Sequence, residues 1–145
     1  MPNEIALPVQ TFVKHFTDAW ADPTPERLLT LVHADVELVQ PLSRKVVGHV
    51  QVARWLSRTF AIVPDLRGEV LSWAYRDDVL FIEVRLRATI GRRTVEWIAV
   101  DRITLDGDKV RRRVAHFDPT PLILPIVLSP RTLLRAGSAT LNIRL

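Results

Sequence analysis

At 145 residues, 48% of them hydrophobic, the chain has the length of one domain and ample material for a single core. It has no cysteine, which excludes disulfides and thiolate metal sites and fits a reducing cytoplasm. A net charge of +4 invites a nucleic-acid reading, but there is no recognition-helix motif, zinc-finger spacing or basic run interleaved with stacking aromatics, so none is expected.

In chain order, Met1-Pro2-Asn3-Glu4 does not look like the start of a signal peptide, so none is expected, and no segment reaches the roughly 20 apolar residues of a membrane span. The expectation is a soluble, cytoplasmic protein. Over residues 8–20 the apolar positions Val9, Phe12, Val13, Phe16 and Trp20 recur at helical steps and predict one buried stripe. Thr24-Pro25-Glu26 starts a second helix, with threonine as cap and proline at the first helical position. Residues 36–41 read as a short strand. Gly48 opens a third helix in which Val52, Trp55, Leu56, Thr59, Phe60 and Val63 keep the repeat until Pro64. A further strand runs from residue 66 to about 75.

Three strands follow, over residues 79–90, 94–105 and 110–118, and their turns predict their pairing. Ile90-Gly91-Arg92-Arg93 fits a two-residue loop in which glycine takes the positive φ, so Leu86 faces Trp97 and Ile82 faces Asp101. Pairing Leu105 with Val110 across the next turn sets Asp101 opposite Val114, with Arg112 and His116 as diagonal neighbours. One face then collects Leu80, Ile82, Val84, Leu86, Ala88, Val95, Trp97, Ala99, Ile103 and Val114, and into this apolar set fall Asp101, His116 and, nearer the edge, Arg112. The other face collects Glu83, Arg85, Arg87, Glu96, Arg102, Arg111 and Arg113. Ions are costly to bury, so Asp101 and His116 call for an explanation. A carboxylate on an apolar surface is a candidate acid or base. The alternative is a structural aspartate bonded to backbone or to Arg112. A slip of one residue in the second hairpin would instead put Arg113 and Ala115 on the Asp101 face.

The order helix, helix, strand, helix, then four strands predicts an α+β domain: a cone-shaped, curved antiparallel sheet with three N-terminal helices packed on its concave face and a pocket within. The domain is expected over residues 1–124. An apolar tail over residues 125–145, rich in proline and too broken for a long helix, is expected to dock on the domain or on a dimer partner, with a membrane surface the weaker alternative.

Phe12 to Trp20, Val36 to Pro41 with Gly48, Pro64-Asp65-Leu66, Val100-Asp101-Arg102 and His116-Phe117-Asp118-Pro119 together resemble the nuclear transport factor 2-like superfamily, nearest to its SnoaL-like polyketide cyclase and ketosteroid isomerase branch. The resemblance spans residues 6 to about 124. It implies a frequent homodimer and an apolar pocket for a small hydrophobic molecule, usually without a cofactor. Its steroid isomerases carry their catalytic aspartate where this chain has Gln40, before Pro41. Its limonene-type epoxide hydrolases use an Arg-Xaa-Asp strand and a late aspartate, where this chain has Arg85-Leu86-Arg87 and Ala115. Its polyketide cyclases use a late acid/base aspartate, for which Asp118 is the nearest match; the alternative for Asp118 is a turn that ends the strand.

The expected catalytic set is therefore Asp101 as base, His116 as its partner and Asp118 in support, with Trp20, Gln40, Trp55, Trp97 and Arg112 lining the pocket. No histidine shows metal-ligand spacing, so no metal is expected. The expected function is a cofactor-independent proton transfer, of isomerase, cyclase or hydratase/hydrolase type, on a steroid-, terpenoid- or polyketide-like molecule. The alternative is a non-catalytic ligand-binding or dimerisation module of the same fold.

Overall fold

The computed structural model describes residues 6–129 together with Arg131 and Leu134. Helix α1 (Leu7–Ala21) buries Val9, Phe12, Val13, Phe16 and Ala19, the stripe expected from its repeat. Helix α2 (Pro25–Leu29) is short and capped as its sequence predicts: Thr24 Oγ1 accepts the Arg27 amide at 3.1 Å. Strands β1 (Val32–Val39) and β2 (Val46–Val47) precede helix α3 (Gly48–Ile62), whose first turn is tied back by Gln51 Oε1 accepting the Val47 amide at 3.0 Å. Strands β3 (Arg67–Arg76), β4 (Val79–Ile90), β5 (Arg93–Asp106) and β6 (Lys109–His116) follow.

The six strands form one sheet in the order β2-β1-β6-β5-β4-β3. It is antiparallel except that β1 runs parallel to β6, a pairing that the expected all-antiparallel sheet did not include. The long connection through α3 and the hairpins lets the chain return in that direction. Helix α1 lies against β3 and α3 against β1. Leu80, Ile82, Val84 and Ile103 from the sheet join Phe12, Phe16, Val52 and Leu56 from the helices in one core. Register breaks in β3, between Val70 and Ser72, and between Thr104 and Leu105 bend the strands and curve the sheet around this core.

The β4–β5 hairpin has the expected register: Leu86 opposite Trp97, Ile82 opposite Asp101, and Gly91 in the turn at φ +66°. The β5–β6 hairpin does not. Leu105 pairs with Val110, but Thr104 pairs with Arg112, so β6 carries one extra residue, Arg111, and everything after it changes face. Asp101 therefore lies opposite Ala115 rather than Val114, and Arg113 replaces Arg112 on the inner face.

A fourth helix, α4 (Thr120–Leu128), was not expected, because Pro121 and Pro125 argue against one. Pro121 occupies the first turn, where an amide N–H has no helical partner; Pro125 is buried, and Leu122 packs in one cluster with Ile90, Val95, Trp97 and Phe117. The boundary expected at residue 124 falls inside this helix. Most of the tail beyond Ser129 lies outside the described residues. No described helix is long and apolar enough to cross a membrane.

Gly68 sits where Trp20 crosses β3. A Cβ there would lie 3.1 Å from Trp20 Cε3 and 3.1 Å from Val84 Cγ1. Both neighbours are stiff and packed, so Gly68→Ala is expected to cost about 1–3 kcal/mol. Thermal unfolding checks this: an unchanged midpoint would contradict the contact.

Candidate functional site

Between the sheet and α3 lies a cavity of about 630 Å³, within the size range of small-molecule sites. Its apolar wall is Phe16 and Trp20 from α1, Leu86, Trp97 and Ala99 from the sheet, and Leu122 from α4. Aromatic contacts spaced four residues apart along α1 lead into it, with Phe12 to Phe16 centroids 5.8 Å apart and Phe16 to Trp20 6.2 Å. From α3 the stripe Gln51, Arg54, Trp55, Arg58, Thr59 and Ile62 faces the cavity at helical spacing. The loop between β1 and β2 closes one side, with Leu42 held at φ +64°, a conformation rare for leucine.

Asp101 projects from the middle of β5 into this space and is 5% exposed. Burial pushes its carboxyl above the ordinary carboxylate range, and the charges of Arg113 and His116 pull back against that shift without reversing it. No hydrogen bond holds its oxygens among the described residues.

Arg113 is the other charged group that the fold brings inside. Its Nη2 donates to Gln40 Oε1 at 2.7 Å, and its guanidinium lies 5.8 Å from the Trp55 ring centre, within cation–π range. The three successive arginines of β6 each meet a residue of β1 or the residue that follows it. Arg111 reaches Asp35 at 3.3 Å, Arg112 reaches Glu37 at 3.6 Å, and Arg113 reaches Gln40. The first two find carboxylates at the surface; the third finds only an amide, inside. Three buried N–H groups have no acceptor among the described residues: Gln40 Nε2, Trp97 Nε1 and Arg113 Nε. All three residues line the cavity.

Of the residues singled out from sequence, Trp20, Gln40, Trp55, Trp97 and Asp101 line this cavity. The bulge at Arg111 turns Arg112 and His116 outward, and His116 lies exposed opposite Val100. Asp118 is also exposed. Its Oδ1 accepts the Thr120 amide at 2.9 Å at the start of α4, and that bond holds its carboxyl below the ordinary range. It lies two residues past the end of β6 and just before α4. Sequence reasoning missed Arg113 and the cationic stripe of α3. Both signals were present, as the one-residue slip and as the helical spacing of Arg54 and Arg58 with Trp55.

The profile of the SnoaL-like domain matches residues 13–113. No curated protein matches the chain. Similar solved structures include a candidate SnoaL-like polyketide cyclase from Jannaschia, 17% identical with a TM-score of 0.74 over 90% of this chain and 99% of that one. A protein of ketosteroid isomerase-like fold from Catenulispora acidiphila is 18% identical, with a TM-score of 0.71 over 79% of this chain and 90% of that one. A limonene epoxide hydrolase-like enzyme from Mycobacterium tuberculosis is 14% identical, with a TM-score of 0.67 over 92% and 97%. These likenesses are of fold.

Because burial raises the Asp101 pKa in the folded chain above its unfolded value, the folded chain binds more protons than the unfolded one between those two values. Stability therefore falls as pH rises through that window and stays lowered above it. Asp101→Asn is expected to be more stable than the parent at pH 7, with the gap closing toward pH 3.8, the ordinary value. Urea unfolding at both pH values measures this, and a loss of stability at pH 7 would mark the aspartate as structural.

Proposed function

We propose, from the premise that this chain belongs to the SnoaL-like domain family, that its cavity takes a small hydrophobic, oxygen-bearing molecule and that Asp101 moves a proton on it without a cofactor. The observation that carries this reading is a carboxyl buried in an aromatic cavity, with no hydrogen bond to its oxygens among the described residues, and with the charge of Arg113 acting on it in the same cavity. Desolvation makes Asp101 a stronger base when ionised and keeps it available as an acid nearer neutrality. The guanidinium of Arg113, whose charge acts on Asp101, suits an oxygen on which negative charge develops as the proton leaves. The reaction class is isomerisation, cyclisation or hydrolysis. Names of similar structures, polyketide cyclase and epoxide hydrolase among them, support that range. His116 and Asp118 have no part in this reading, because neither lines the cavity.

A second reading, a binding module without turnover, is favoured by Gln40 at the position of the family's isomerase base and Ala115 at that of its hydrolase aspartate. One series of experiments separates the two. Thermal unfolding against steroids, terpenoid epoxides and aromatic polyketides should show an upward shift with one class, since a ligand at 100 times its Kd adds about 2.7 kcal/mol. Turnover of that class should fall about 10²- to 10⁴-fold in Asp101→Asn while the thermal shift persists. A shift with no turnover in the parent protein would favour the binding module.

The reading includes a homodimer. Phe81, Ile98 and Val100 on the outer face of β4 and β5 support it, with Ile98 51% exposed. Ile98→Asp is expected to shift light-scattering mass toward a monomer without lowering helix and strand content. A parent protein that is monomeric at high concentration would remove this part of the proposal.

A further inference from the structure

We infer that the molecule bound in this cavity carries an ionised oxyanion on its hydrophobic body, and that Arg44, Arg54 and Arg58 at the cavity mouth are the groups that recognise it. The inference rests on the ligand-pocket reading above and names the ligand's chemical class.

Arg54 and Arg58 stand four residues apart on α3, on the face that also presents Trp55 and Thr59 to the cavity. Like charges at that spacing repel, and α3 contains no aspartate or glutamate to offset them. Arg44 approaches from the loop between β1 and β2. All three are exposed, line the cavity, and have no carboxylate within ion-pair distance among the described residues. Lys45 beside them is 3.7 Å from Glu37, and so it is the cation of this rim that is already neutralised.

The interior points the same way. Asp101 is the one carboxyl among the lining residues, which also include the N–H-bearing side chains of Gln40, Trp97 and Arg113. The side-chain oxygen of Gln40 is taken by Arg113 and that of Gln51 by the Val47 amide. A cavity that offers donors inside and guanidiniums at its mouth suits a ligand with carbonyl, enolate or phenolate oxygens at depth and an anionic group outward. A cation would meet the rim's repulsion, and a plain hydrocarbon would offer the rim's guanidiniums no counter-charge.

The test uses the full chain and two probes that differ only at the acid, anthraquinone-2-carboxylate and its methyl ester, titrated by quenching of the tryptophans in the cavity. The carboxylate is expected to bind at least tenfold more tightly at low salt, and its Kd, unlike the ester's, to rise with ionic strength. Arg54→Gln combined with Arg58→Gln should collapse the ratio toward one. Anthraquinone-2-sulfonate distinguishes the source of the anion: equal binding with the carboxylate marks recognition of charge, and weaker binding marks bidentate carboxylate recognition. Should the double variant fail to fold, the salt dependence of the parent protein decides. An ester that binds as tightly as the acid overturns this inference and leaves the pocket reading intact. No binding by either member, repeated with 1-pyrenebutyrate and its methyl ester, overturns both.

Discussion

One extra residue in β6 organises the chemistry of this protein. Without the bulge at Arg111, strand alternation would turn Arg112 and His116 inward and leave Arg113 in solvent. With it, Arg113 lies inside, bonded to Gln40 and stacked near Trp55, and its charge acts on Asp101. The bulge is stabilised where it occurs, since the extra arginine finds Asp35 and the His33 ring on the neighbouring strand. Of three identical side chains in a row, two thus form surface ion pairs with β1 and the third is turned inside to Gln40, just past the end of β1.

The residue facing Arg113 decides how its charge is used. A carboxylate at position 40 would form a closed ion pair with the guanidinium and neutralise it. Glutamine accepts one N–H and brings no charge, so Arg113 remains cationic and Gln40 Nε2 is left as a second donor. Buried donors without acceptors cost stability in the unliganded protein. In a domain whose core is otherwise apolar, these polar groups are concentrated in residues that line one cavity. The raised pKa of Asp101 has the same origin, a polar group held in an apolar wall by a strand that cannot turn it away.

The cavity exists because the layers around it are bent and capped. Register breaks curve the sheet around the core, Gly68 lets Trp20 lie close on β3, and α4 brings Leu122 over the end of the space beside Trp97 and Phe117. Each is a small local exception to regular pairing or propensity. Together they leave about 630 Å³ of space in a domain of this size.

The helices α1, α2 and α3, the β4–β5 register and the placement of Asp101 on an apolar face were legible in the sequence, because periodicity and a glycine turn act over a few residues. The aromatic residues Trp20, Trp55 and Trp97 were legible as cavity lining for the same reason. The face of Arg113 against Arg112 was not, because parity beyond a bulge depends on partners more than 70 residues away on β1. Nor was α4, whose prolines oppose a helix locally and whose place is set by burial of Leu122 and Pro125. Local rules determined the elements and their apolar faces. Only tertiary contact, through pairing between distant strands, decided which charges entered the cavity.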